Sequence, residues 1–217
     1  MSLMEKILNF NTPIWDECAD TPFVREIQDG TLPLECFKEY MIQDSIYLKN
    51  YARICGKAIY HAKTLKDIQV YYSMMDFITD KESLVRLNYL KQFGLTDDDI
   101  ELIAPLPENR NYIDFLSEIA ERSSEYEILM ALLPCMLSYS YIFQKIVAVP
   151  KAKTSRYWDF ILDYSDDHYA DYCRRLSAFA DTKCKNLDEV RKGQLCSIFQ
   201  RASLLELDFW NMTYRRK

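Results

Sequence analysis

Residues 128–144 read ILMALLPCMLSYSYIFQ, bounded by Glu127 and Lys145, and form the longest uncharged stretch of the chain. A helix apolar on nearly every side belongs inside a protein, because no face suits water. The run is slightly short for a membrane span of about 20 residues. It also carries Pro134, Cys135, Ser138, Tyr139, Ser140, Tyr141 and Gln144. Its reading is therefore a central core helix. Pro134 lacks an N–H and crowds the carbonyl four residues back, so a kink is expected. Beyond a kink, Cys135 would stand near the start of a fresh helical segment, where unpaired N–H groups favour a thiolate. The competing reading is an inert, space-filling cysteine.

The rest of the chain is consistent with helices built around that core. Only four glycines occur in 217 residues, and alternating polar and apolar runs are scarce. Nearly half the residues are hydrophobic (49%) and 14% are aromatic, which marks a globular chain. Period and punctuation predict helices over 3–20, from Pro22, over 33–63 and over 65–93 with Gly94 as C-cap. Others are expected over 96–103, 111–122, 124–149, 155–163, 166–182 and 186–214, with a loop at 105–107. The fold class is all-α, a single-domain multi-helix bundle over 1–217.

Composition excludes several functions. The net charge of −6 offers no footprint for nucleic acid, and the basic tail Arg215–Lys217 reads as solvated. Seven scattered cysteines with no CxxC pair suit a reducing, cytoplasmic setting. The two histidines, His61 and His168, belong to no Glu-x-x-His pair, so neither metal nor other cofactor is expected. No glycine-rich phosphate loop is present.

Polar groups stand inside apolar faces at three places. Phe37, Tyr40, Asp44, Tyr47, Leu48 and Tyr51 recur at steps of three and four. An aspartate on an aromatic face is either a structural acid holding a partner or a functional one. Glu206 shares a face with Phe209 and Trp210, and reads either as a solvated edge residue or as a carboxyl of raised pKa. Cys135 and Tyr139 lie one turn apart on the central helix. Tyr112 and Tyr164 add to the sixteen tyrosines, whose hydroxyls need partners wherever they face inward.

Together, DGTLP at 29–33, FKEYMIQDSIYL at 37–48, Tyr112, ALLPCMLSY at 131–139, Y-x-x-F-I-x-x-Y at 157–164 and ELDFWNMTYR at 206–215 resemble the TenA/thiaminase II family. The resemblance spans nearly the whole chain, in the family's order, and points to its cysteine-bearing branch. It implies a haem-oxygenase-like helical fold and a homotetramer. It implies a hydrolase of thiamin salvage that converts aminomethylpyrimidine, and in many members thiamin, to hydroxymethylpyrimidine. By the same resemblance Cys135 is the nucleophile, Asp44 binds the ring nitrogen and amine, and Glu206 is the acid and base. Tyr47, Tyr112, Tyr139, Tyr164 and Phe209 line the substrate. The chain departs from the pattern at Val85, where many members carry histidine after the glutamate (here Glu82), at Phe160, commonly tryptophan, and at Ser165-Asp166. Those departures leave a non-catalytic, pyrimidine-binding or regulatory protein as the alternative.

Overall fold

A computed structural model describes residues 1–77 and 82–214, with side chains from 84 onward in the second span. Eleven α-helices and one 3₁₀ turn make up the described residues, with no strand. They are α1 (Leu3–Ala19), α2 (Pro22–Asp29), α3 (Leu34–His61), α4 (Leu65–Asp76), α5 (Glu82–Gln92), α6 (Asp97–Glu101), α7 (Pro107–Arg122), α8 (Glu125–Val147), α9 (Trp158–Asp163), α10 (Asp167–Cys184) and α11 (Glu189–Asn211). The all-α expectation holds.

Caps explain most boundaries. Ser2 and Thr96 close capping boxes with Glu5 and Asp99. Thr21, Thr64, Asp166 and Asp188 each accept a hydrogen bond from the first turn of their helix. Gly30 ends α2 at φ +73°, and a Cβ there would come within 3.0 Å of the Ser155 backbone. That close approach fastens the start of α3 to the segment before α9.

Three expectations are corrected. The helix expected over 111–122 begins at Pro107, because proline at N1 loses no hydrogen bond and has the right φ. The helix expected over 155–163 starts only at Trp158, as α9, and a separate 3₁₀ turn precedes it at Pro150–Thr154. The last helix begins at Glu189, where Asp188 caps it, and not at 186. Residues 65–93 form two described helices, α4 and α5, and the predicted continuity across 78–81 lies outside the described residues. So does the basic tail at 215–217.

The run that opened the sequence reading is the hub. α8 packs against α1, α3, α7, α9, α10 and α11. Residues 128–134 are all buried, so the apolar sequence meets apolar neighbours on every side. The buried side chains form one contiguous cluster, rich in aromatic rings. α3 is buried all round in its first half, where Tyr40 to Leu48 are consecutively buried. A charged residue in that stretch faces protein and not water.

Candidate active site

Asp44 is that residue. It is 4% exposed. Burial pushes its carboxyl up to about 7, against the pull of Arg86 on α5. Arg86 donates through Nη1 to Ser45 Oγ at 3.0 Å and reaches Asp97 at 3.5 Å, which fixes its guanidinium next to α3. Its burial excludes a solvated position and fits the structural and the functional reading alike.

Glu206 on α11 is 2% exposed, so the solvated-edge reading fails. The Tyr112 hydroxyl of α7 donates to its Oε1 at 2.7 Å. Burial pushes the Glu206 carboxyl up to about 8; the Tyr112 bond pulls it down and nearby Asp44 raises it further. A carboxyl so placed holds its proton at neutral pH and is able to donate it.

Cys135 is half-buried, whereas Cys18, Cys36, Cys55, Cys173 and Cys184 are buried. Helix α8 continues through Pro134, from Glu125 to Val147. Burial on all sides holds this helix together despite the missing donor, and the Tyr51 hydroxyl donates to the Leu132 carbonyl two residues before the proline. Cys135 therefore sits in mid-helix, and the argument from a fresh helix start does not apply. Its neighbours are phenols. Burial holds the Tyr47 and Tyr112 hydroxyls far above their ordinary values, with contributions from both Cys135 and Glu206. The cysteine and the glutamate thus share the same two tyrosines.

The remaining expected residues close around this point. The Tyr47 ring lies 4.8 Å from Tyr112 and 5.6 Å from Phe209. The Tyr139 ring lies 5.0 Å from Tyr164, edge-on, and is pushed up in pKa chiefly by burial, with Asp44 and Glu206 adding. Helices α3, α7, α8, α9 and α11 each contribute to the group, with Tyr164 closing α9 at its C-terminal end. Two residues were not singled out from sequence. The Tyr40 hydroxyl shares a 2.6 Å hydrogen bond with that of Tyr139, and its ring stacks on Trp210 at 5.5 Å. The signal for Tyr40 was present, one turn before Asp44 on the same face. Trp210 follows Phe209 directly.

With this geometry in hand, comparison with known proteins is decisive. The sequence profile of the TENA/THI-4/PQQC family matches residues 11–216. The chain belongs to this family. An aminopyrimidine aminohydrolase of Halalkalibacterium halodurans is 28% identical over the whole of this chain and 97% of its own length. Among solved structures, a TenA homologue from P. horikoshii superposes with a TM-score of 0.88 at 28% identity, covering 99% of both chains. A Shewanella denitrificans domain described as having a heme oxygenase-like fold gives 0.72 at 17% identity, over 97% of this chain and 91% of its own. The fold is thus the haem-oxygenase-like bundle of the TenA proteins.

The departures from the TenA pattern can now be placed. Phe160 is buried and meets Phe37, Tyr40, Phe143 and Tyr164 edge-on, so it fills the aromatic wall without a polar handle. Val85 is half-buried against the core. The side chain of Glu82 lies outside the described residues. Asp166 caps α10 by accepting from Tyr169 N–H at 2.6 Å, a structural use of the changed turn. His61 and His168 are both exposed, away from the acids and the cysteine.

Proposed function

We propose that this chain is an aminopyrimidine aminohydrolase of thiamin salvage. It would convert aminomethylpyrimidine to hydroxymethylpyrimidine by cysteine nucleophilic catalysis, with thiamin as the second candidate substrate. The observation that carries the reading is the convergence of Cys135, Glu206 and Asp44 from three helices on one cluster of buried phenols.

The chemistry follows from the groups. The Cys135 sulfur adds to a ring carbon of the pyrimidine as the thiol proton passes to a ring nitrogen, which breaks the aromaticity. The Asp44 carboxylate accepts from the exocyclic amine and from the protonated ring nitrogen, and so favours that addition. The ring electrons then expel the amine from the methylene carbon, and Glu206 supplies the proton that lets it leave. Water adds to the methylene carbon as Glu206 takes back a proton, and the sulfur departs with the proton from the ring nitrogen, restoring the ring and the thiol. The balance is one water in, one amine out. Tyr47, Tyr112 and Phe209 form one wall of rings for a flat heterocycle, and Tyr139 and Tyr164 the other. No cofactor takes part in these steps.

Seven free cysteines fit a reducing cytoplasm. A homotetramer belongs to the same reading, to be measured by light scattering. The buried acid beside a half-buried cysteine favours hydrolysis over the non-catalytic alternative, because the pair supplies a nucleophile and a proton donor together. The test is direct. The purified protein is incubated with aminomethylpyrimidine and with thiamin, and hydroxymethylpyrimidine is followed by chromatography. Cys135→Ser should fold normally and turn over at least about a hundredfold more slowly, since serine is the weaker nucleophile without a dedicated base. No turnover by folded wild-type protein sinks the hydrolase; full activity of the serine variant sinks the nucleophile.

A further inference from the structure

The residue before Asp44 has no part in this chemistry, yet it is fully buried. Gln43 Oε1 accepts two hydrogen bonds from the start of α7, both at 2.9 Å: from the Leu106 backbone N–H and from Asn109 Nδ2. The same Asn109 Nδ2 donates to the Gln43 backbone carbonyl at 2.8 Å. Asn109 is fully buried as well. Both acceptors are oxygens, which fixes the orientation of the Asn109 amide. Leu106 is the N-cap residue of α7 and contributes no side-chain cap of its own. Gln43 therefore takes up a backbone donor that the helix leaves without a partner.

One turn further along both helices stand Tyr47 and Tyr112, with ring centroids 4.8 Å apart. The spacing from 43 to 47 and from 109 to 112 is one helical turn, in the same sense along α3 and α7. Tyr112 in turn donates to Glu206 at 2.7 Å. The chain of contact runs from Gln43 through Asn109 and α7 to the proton donor. A hydrogen bond that must be short and aligned tolerates little sliding of one helix past the other.

We infer that Gln43 and Asn109 act as positioning residues: their clamp sets the register of α7 on α3 and so aims the Tyr112 hydroxyl at Glu206. The inference rests on the hydrolase reading for its catalytic meaning, but its structural content can be tested apart from turnover. Around Glu206 stand Tyr112 of α7, Asp44 and Tyr47 of α3, Cys135 and Tyr139 of α8 and Cys18 of α1, while α2 meets α11 through the rings of Phe23 and Trp210. Of these, the Tyr112 hydroxyl is the group that lowers the Glu206 value through a hydrogen bond. Breaking the clamp withdraws that bond, so Glu206 should keep its proton to higher pH.

The experiment uses Asn109→Ala, which removes the shared donor, and Gln43→Met, which removes the acceptor at nearly constant shape. Glu206 is titrated by carbon NMR of its carboxyl, and the pH dependence of kcat is measured alongside. Both the Glu206 titration and the alkaline limb should move up by about one pH unit, as loss of a hydrogen bond to an ionised group implies. Tyr112→Phe should show the same shift, and adding Asn109→Ala to it should shift nothing further. Asn109→Ser, which returns one donor, should recover part of the shift and serves if the alanine variant fails to fold. A fall in melting temperature with the Glu206 titration unmoved would reduce the clamp to ordinary core packing, and a second additive shift in the Tyr112→Phe background would overturn it. Absence of turnover in wild-type protein would sink the hydrolase reading instead, leaving the titration to decide on the clamp.

Discussion

Asp67 and Glu125 are buried much as Asp44 and Glu206 are, but in different company. Lys183 of α10 places its Nζ 2.7 Å from Asp67 on α4 and 2.8 Å from Glu125 at the start of α8. Burial, the largest influence on Lys183, works against its charge, yet the two carboxylates outweigh it and raise its pKa. The Tyr126 and Phe179 rings add cation–π contacts at 5.7 and 6.0 Å. Next to this cluster, Glu127 pairs with Arg191 and closes the capping box with Ser124. These acids are neutralised by cations and tie helices together. At the other cluster Glu206 accepts from a phenol and Asp44 feels the charge of Arg86, but burial is the largest influence on both, so both carboxyls rise. The lesson is that the partner, and not the depth, decides whether a buried acid keeps its charge.

The comparison is tested most severely at Glu206. Glu206→Gln keeps shape and polarity but has no proton to give. Turnover should fall by about 10²–10⁴, while the pyrimidine still binds with near-normal affinity by calorimetry. Stability should move the other way. In the unfolded chain this carboxyl ionises near 4.5, and in the folded chain near 8. Below about 4.5 both states are protonated and the group is without penalty. Between 4.5 and 8 only the unfolded chain releases the proton, so stability falls as pH rises, by at most about 1.4 kcal/mol per unit. The glutamine variant escapes this loss. Its melting temperature should exceed that of wild type, with a gap that grows from pH 5 to pH 8 and then levels. A variant less stable than wild type at pH 8 would place Glu206 with the structural acids.

Lys183→Met is the mirror experiment. It leaves Asp67 and Glu125 buried without their cation, which should cost about 3–5 kcal/mol in denaturant unfolding. The candidate site keeps all its groups, so turnover per folded molecule should stay at the wild-type level. A large fall in kcat for protein that is still folded would mean that the two clusters are coupled and the contrast is not clean.

Much of this contrast was legible in the sequence, and its limits are physical. The uncharged run at 128–144 declared the hub helix, since no solvated face could be drawn on it. Asp44 stood out because residues 40–48 carry no other charge between Glu39 and Lys49. Glu206 was harder: α11 has polar residues on several faces, and its periodicity alone could not tell a buried glutamate from an edge one. The resemblance to the family supplied that role, and burial against Tyr112 supplied its physical basis. The pairing of Lys183 with Asp67 and Glu125 joins residues 116 and 58 apart in sequence, which no local pattern encodes. The fresh helix start read at Cys135 came from Pro134 in an isolated segment, whereas the packed α8 continues through it. Gln43 looked like an ordinary polar residue because its partners, Leu106 and Asn109, lie more than sixty positions away.

The smallest effect expected, and the sharpest for the comparison, is at Asp44. If this acid recognises the ring as a carboxylate, binding must weaken when it gains a proton. Its value near 7 then sets an acid limb, and the value near 8 at Glu206 sets an alkaline one, so activity should peak in the narrow window between them. The two acids influence each other, and the limbs belong to the pair. Asp44→Asn replaces an acceptor oxygen with a donor that faces the amine donor of the ligand. Calorimetry should show binding weaker by about 1–3 kcal/mol, the range for a buried unpaired donor. The acid limb should vanish in the same variant, because the amide does not titrate, while the alkaline limb of Glu206 should move down as the neighbouring negative charge is removed. Asn at 44 with unchanged affinity and an intact acid limb would mean that another group recognises the ring, and Asp44 would then rank with Asp67 and Glu125 as an acid kept for the fold.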